Sequence, residues 1–397
     1  MNIGIVTTWF ERGAAYVSLQ YADLLRENNN IFIYARGGYD KDYFPDYHIT
    51  VDINHNLIVK SALNLNQYEN WITENNITHI LFNEQFWWEP IILAKKMNVI
   101  CLAYIDYYTP ETVALFKIYD NVICNTKRHF SVFEKFNNAT YLPWGTDVDL
   151  FKFVAKENET LTFFHSTGWS PFRKGTDFLI DAFYNIKLPS KLIIHSQGDL
   201  VTLMPKHKNK INELLAENRL EIIIETVEAP GLYHLGDVYV YPTRLEGIGL
   251  TIAEALSCGL PTIVPDNAPM NEFVLNETCK LVKIDAFKIR EDNYYWPMCE
   301  VSVNDLQKQM EYYIEKKQDI KMLSLKTRLH AELKLNWKLN STALLSIFES
   351  SKKVELTSEL TNSCKKSDKK IMKFGTLYVI SPVVYKLLVK IYKSFRK

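Results

Sequence analysis

Two carboxylates, Glu246 and Glu254, stand eight positions apart around Gly247-Ile248-Gly249-Leu250. An apolar run at 238–241, closed by Pro242, comes before them, and helix-forming residues from Leu250 to Cys258 follow until Gly259 and Pro261 stop the pattern. This order predicts that Glu246 lies on a loop at the carboxyl end of a strand and Glu254 about one turn into a helix. The two glycines let the backbone approach a ligand closely. Backbone N–H groups across Gly247, Ile248, Gly249 and Leu250 and the helix dipole together favour an anion. A ligand with phosphates in the middle and hydroxyls at both ends suits that frame, as a nucleotide-diphosphate sugar does. Its diphosphate would lie on the helix start, its ribose diol on one carboxylate and its sugar hydroxyls on the other. The plainer alternative makes Glu246 a helix cap and Glu254 a solvated side chain.

Other residues could join this chemistry. Arg173 and Lys174 come after an expected strand and just before Gly175, where a basic pair can hold phosphate or simply face water. In Asn83-Glu84-Gln85-Phe86-Trp87-Trp88, the two tryptophans could stack on an acceptor sugar and Glu84 could hydrogen-bond it; core packing is the other reading. Asp106 could orient or deprotonate an acceptor hydroxyl, or cap a helix starting near Pro110. His165, His195 and His234 are scattered and read as structural.

These residues need strands to carry them. Short apolar runs at 2–7, 31–35, 79–83, 99–103, 121–124 and 139–142 alternate with helical spacing, and a second series follows at 160–166, 191–196, 220–225, 238–241, 261–264 and 279–283. This order predicts an α/β chain of two Rossmann-like doubly wound domains, each a parallel sheet between helices. Ligands then bind at the carboxyl ends of strands, with the cleft between the domains as the expected site. Residues 284–301 read as irregular, and the pattern is purely helical from 303 to about 350. The expected division is 1–150, 151–335, a helix at 336–352, and a linker with a basic amphipathic tail at 353–397.

The stretch from Pro242 to Pro261 resembles the Glu-x7-Glu signature of retaining GT-B glycosyltransferases, family 4 type. Gly145-Thr146-Asp147 resembles that family's inter-domain turn, Gly168 to Gly175 its Gly-Arg-x4-Lys-Gly phosphate segment, and Gly13 its N-domain glycine loop; the likeness covers about 350 residues. It implies an N-terminal acceptor domain, a C-terminal donor domain and a metal-independent transfer with retention, without a cofactor. Glu254 would bind the ribose, Glu246 the donor sugar, and Lys174 and the amides near Gly247–Leu250 the diphosphate of a UDP- or GDP-sugar. Glu246→Gln would then lower turnover and Glu254→Gln donor affinity. The chain departs from the family in Trp169, where an arginine is usual, in Trp144, where asparagine is common, and in Asp106, at a position often held by histidine. Nucleotide-sugar epimerization and non-catalytic donor binding are the alternatives. A dinucleotide dehydrogenase is excluded because residues 7–16 hold one glycine rather than a Gly-x-Gly-x-x-Gly turn.

Composition sets the surroundings. The six cysteines form no CxxC pair, which fits reduced thiols in the cytoplasm. The N-terminus has no basic, then apolar, leader pattern, and no uncharged run reaches the roughly 20 residues of a spanning helix. The zero net charge conceals a basic end: from Cys364 onward nine lysines and one arginine face Asp368 alone. After Ser381 and Pro382, Lys386, Lys390, Lys393 and Lys397 recur at helical spacing beside Leu387, Leu388, Ile391 and Phe395. Residues 381–397 are therefore expected to lie on an anionic membrane, placing the protein on the inner face of the cytoplasmic membrane beside a glycan or lipid-linked acceptor. No motif for nucleic acid is present.

Overall fold

A computed structural model describes residues 1–54, 61–153 and 159–380, with 370–380 described by backbone alone. The amphipathic segment expected at 381–397 lies outside the described residues. The chain divides into two units. The first holds Met1–Asn125, His129–Leu142 and the stretch from Thr342 onward; the second holds Thr126–Arg128 and Pro143–Ser341.

The first unit is built on seven strands: β1 (Asn2–Trp9), β2 (Asn30–Tyr39), β3 (His48–Val51), β4 (His79–Asn83), β5 (Ile100–Tyr104), β6 (Asn121–Cys124) and β7 (Ala139–Tyr141). All pair in parallel, in the order β3-β2-β1-β4-β5-β6-β7. The order reverses between β1 and β4. Such a sheet is covered on both faces, and β1 is accordingly buried at every position after Asn2. The sequence pattern missed β3, a half-exposed edge strand with no apolar run.

The second unit repeats the design with β8 (Thr162–Gly168), β9 (Lys191–Ser196), β10 (Leu220–Ile224), β11 (Val238–Val240), β12 (Thr262–Pro265) and β13 (Lys280–Val282). Their order is β10-β9-β8-β11-β12-β13, all parallel, with the reversal between β8 and β11. Phe163, Leu192, Val238 and Ile263 from the strands pack with Phe183, Leu306 and Tyr313 from the helices into its core.

Three expectations about elements are corrected. Residues 284–301 are not irregular: β14 (Ile284–Lys288) and β15 (Met298–Val301) form an antiparallel hairpin. The single helix expected at 336–352 is two, Trp337–Asn340 and Leu344–Ser350, and the chain changes unit between them. The first of these belongs with the turn at 144–146. Trp144 lies with its ring 4.8 Å from Trp337, and the Thr146 N–H donates to the Leu335 carbonyl at 2.6 Å.

The linker expected after residue 353 is instead a long helix, Ser358–Ile380. Leu360, Cys364, Ser367 and Asp368 form its inward side, spaced as one helical face. Asp368 accepts hydrogen bonds from the N–H groups of Trp88 at 2.9 Å and Glu89 at 3.0 Å. It therefore supplies the cap for helix Glu89–Lys96, whose own preceding residue is Trp88.

Candidate functional site

In the second unit, β11 ends at Val240, and the stretch 241–249 leads into helix Leu250–Ser257. Gly249, at φ +96°, makes the turn into that helix. The first N–H groups of the helix have no partner within it. Across the sheet reversal, the loop after β8 delivers Arg173 and Lys174 to the same place. It can approach because residue 175 is glycine: φ is +70°, and a Cβ there would run into the Pro242 carbonyl.

Glu246 is the hub where the two loops meet. Its Oε1 accepts from Lys174 Nζ at 2.8 Å, Thr243 Oγ1 at 2.7 Å and Tyr241 OH at 3.0 Å, and its Oε2 from Arg173 Nη1 at 3.3 Å. Burial alone would raise the carboxyl's pKa, but the charges of Lys174 and Arg173 and the bonds from Lys174 and Thr243 outweigh it and hold it at about 2. Burial brings the Lys174 ammonium down to about 8 against the opposing pull of Glu246. Glu254, on the helix, accepts from Tyr233 OH at 2.6 Å. Burial raises its pKa to about 6, offset in part by the Tyr233 bond and the Lys174 charge.

A brace holds this loop. Arg244 is almost fully buried, binds both oxygens of Asp177 at 2.7 and 2.6 Å, and lies 3.9 Å from the ring centres of Phe172 and Phe178. The Cys299 N–H on β15 donates to the Arg244 carbonyl at 2.9 Å, so the hairpin missed in the sequence also supports the site. His165 is fully buried; its Nδ1 is 2.7 Å from the Val240 carbonyl and so carries the proton, leaving Nε2 to accept from Thr176 Oγ1 at 2.8 Å. Burial lowers its pKa to about 4, and its role is structural, as expected. Trp169 is 69% exposed.

The first unit has a charged cluster at its own reversal. Arg12, just before Gly13 and the helix Gly13–Leu25, pairs with Glu84 at 3.0 Å. Arg36, buried on β2, donates to the carbonyls of Asn83 and, at 2.8 Å, Glu84. Asp106 follows β5. Burial first, then the neighbouring carboxyl of Glu84, raises its pKa well above the usual range, against the pull of Arg12 and Arg36. Burial and Glu84 thus both favour the protonated form of Asp106. Asp106 caps no helix near Pro110; the next helical turn is Val113–Ile118.

Trp88 is corrected as well. It is 2% exposed and packs edge-on to Phe116 at 5.2 Å, so it has no face for a sugar. Trp87 is half-buried, with its N–H on Ser61 Oγ at 3.1 Å. The structure thus gathers Glu246, Arg173, Lys174, Glu254 and the 247–250 loop in one unit, and Gly13, Glu84 and Asp106 in the other.

Tyr233, Tyr241, Thr243, Arg244, Arg12 and Arg36 were not singled out in the sequence. Arg12 carries a usable signal, a cation beside the glycine that ends a strand loop; Tyr233 carries none. Among the described residues no three His, Cys, Asp or Glu side chains are grouped to hold a metal ion.

Residues 159–288 match the family model for glycosyl transferases group 1. Over 129 residues the chain is 26% identical to the lipopolysaccharide core biosynthesis mannosyltransferase LpsB of Rhizobium meliloti (strain 1021), a match covering 30% of this chain and 36% of that relative's length. Sucrose-phosphate synthase (tll1590) from Thermosynechococcus elongatus has the same fold, with a TM-score of 0.68 at 15% identity over 88% of this chain and 98% of that one. Anabaena Alr3699/HepE in complex with UDP and glucose gives 0.68 at 14% identity over 88% and 100%. WaaG, a glycosyltransferase involved in lipopolysaccharide biosynthesis, gives 0.63 at 14% over 87% and 99%. The fold is therefore of the GT-B type, two Rossmann-like units with parallel sheets, and the unit that holds Glu246 and Lys174 carries the glycosyl transferases group 1 match.

Proposed function

We propose that this protein is a retaining glycosyltransferase that moves a hexose from a nucleotide-diphosphate sugar to a glycan or lipid-linked glycan, without a metal or cofactor, in surface polysaccharide synthesis. One observation carries the reading: two cations and a carboxylate converge on the start of a glycine-led helix at a sheet reversal, inside the group 1 match. Two relatives named for lipopolysaccharide synthesis and a neighbour solved with UDP-glucose support the substrate class.

In this reading the helix start, Lys174 and Arg173 receive the diphosphate and stabilise the charge that grows on it as it leaves. Glu254 receives the ribose diol, and Glu246 fixes the two cations beside the donor sugar. The bond from the sugar C1 to the diphosphate oxygen breaks, and its electron pair leaves with that oxygen. The acceptor hydroxyl bonds to C1 on the same face, and its proton passes to the departing oxygen. Asp106 orients the acceptor hydroxyl by a hydrogen bond, with Glu84 beside it. Residues 381–397 would hold the protein at an anionic membrane on the cytoplasmic side.

A panel of UDP-, GDP- and ADP-sugars, assayed with and without membrane extract, tests this function. Release of one nucleoside diphosphate only when extract is present, with the anomeric configuration kept in the product, is the expected result. Conversion of the donor without any acceptor would replace the reading with epimerization. Binding of a donor without turnover in extract would leave a non-catalytic module.

A further inference from the structure

Helix Ile320–Lys334 lies in the second unit. Its inward side, Leu323, Ser324, Thr327 and Ala331, is buried. Its outward side is not polar, as a solvent face would be. Met322, Leu325, Leu329 and Leu333 are 52%, 53%, 55% and 61% exposed. At about 100° per residue these four fall within one narrow arc directly opposite the buried side, a stripe of ~17 Å. Leu339, in the next short helix, is also 55% exposed. Scattered apolar residues are ordinary on a surface, but a contiguous stripe marks a contact face.

The charges on either side indicate what the stripe meets. Lys321 borders it on one side and Lys326 on the other, both exposed; Lys334, also exposed, lies farther round the helix, at its last turn. Lys321 and Lys334 make no ion pair among the described residues. Glu332, on the Lys321 side of the stripe, pairs with Arg328 at 2.7 Å, and Glu277 pairs with Lys326 at 3.7 Å. An apolar stripe with a lysine on each side fits a helix that lies in the plane of a membrane interface. A second copy of the chain fits less well: a twofold antiparallel pairing would set Lys326 against the same lysine of its partner.

We propose that the outer face of helix Ile320–Lys334 docks on an anionic lipid bilayer, with Met322, Leu325, Leu329 and Leu333 entering the interface and Lys321 and Lys326 meeting the lipid phosphates. The proposal depends neither on residues 381–397 nor on the transferase reading.

The test is co-sedimentation of the protein with phosphatidylglycerol–phosphatidylcholine vesicles and with pure phosphatidylcholine vesicles. It is run on the full chain and on a chain ending at Ile380, so that the basic end is a constant. Leu325→Ser/Leu329→Ser is expected to weaken partition onto the anionic vesicles by roughly tenfold or more in both backgrounds. Lys321→Glu/Lys326→Glu keeps the leucines and is expected to weaken it by a similar factor. Both changes are on exposed positions, and an unchanged melting temperature confirms that each variant is folded. No vesicle binding by the full chain, or unchanged partition of the leucine variant, would overturn the proposal. So would light scattering in which the intact chain is a dimer that the leucine variant splits, because a second copy would then cover the stripe.

Discussion

Glu254 and Lys174 titrate on opposite sides of neutrality, at about 6 and about 8. Below its pKa Glu254 carries a proton and can no longer accept from both hydroxyls of a ribose diol. Above its own, Lys174 loses the charge that holds a diphosphate. Donor kcat/KM is therefore expected to rise as pH passes 6 and to fall as it passes 8, since that ratio reports groups of the free protein. Glu254→Gln should flatten the acid limb. Tyr233→Phe should move that limb to higher pH, because the lost hydrogen bond is one that lowers the Glu254 pKa. A profile of the intact protein that is flat between pH 5 and 7 would contradict the ribose assignment. Glu246, near 2, stays ionised throughout. Its replacement by Gln removes the counter-charge of Lys174 and Arg173, so donor KM should rise roughly tenfold while kcat falls on the order of 10². The sequence alone gives the same order, turnover falling far more than donor affinity. Glu246, Glu254 and Lys174 were legible because each adjoins a glycine turn between a strand and a helix. Tyr233 was not, because its bond to Glu254 spans 21 residues of fold.

At the scale of elements, the approach of the loop after β8 to the end of β11 rests on Gly175. Gly175→Ala adds a methyl group where the Pro242 carbonyl lies and forces an L residue to hold φ +70°. A cost of about 1–3 kcal/mol is expected from the backbone conformation alone, seen as a lower denaturation midpoint. Donor affinity should drop with it, because Arg173 and Lys174 precede the displaced residue. An alanine variant with unchanged affinity would mean the two loops need not meet. The central strands could be read from sequence because buried parallel strands are unbroken apolar runs. The hairpin β14–β15 could not: Asp285, Ala286, Phe287 and Lys288 are all exposed, so no alternation marks a core face. Helix Ser358–Ile380 was hidden for a related reason. The side it buries is made of Cys364, Ser367 and Asp368, and an aspartate used as a cap does not register as apolar periodicity.

The whole molecule uses one plan twice, with charged loops at each sheet reversal. The two units differ in how they are completed. The second is nearly one continuous stretch, whereas the first needs residues from beyond Thr342. Leu344, Ile347 and Phe348 are buried there, and each contributes about 1.5–3 kcal/mol. Together they match the few kcal/mol by which a domain is stable. A chain ended at Ser341 is therefore expected to lose the cooperative melting of the first unit in calorimetry while nucleotide binding by the second persists. Loss of both would show that the second unit cannot stand without the first.

The Asp368 cap also sets an order of events on the ribosome. Residues Pro143–Ser341 must be made between the strands of the first unit and the segment that caps Trp88 and Glu89. At roughly 5–20 residues per second that interval is about 10–40 s. Throughout it, the nascent N-terminal part waits with those two N–H groups uncapped and the seat of Phe348 empty. Chains arrested near residue 300 should be cut within 1–142 by added protease far faster than released chains, and equal rates would show that the early strands close without their late partner.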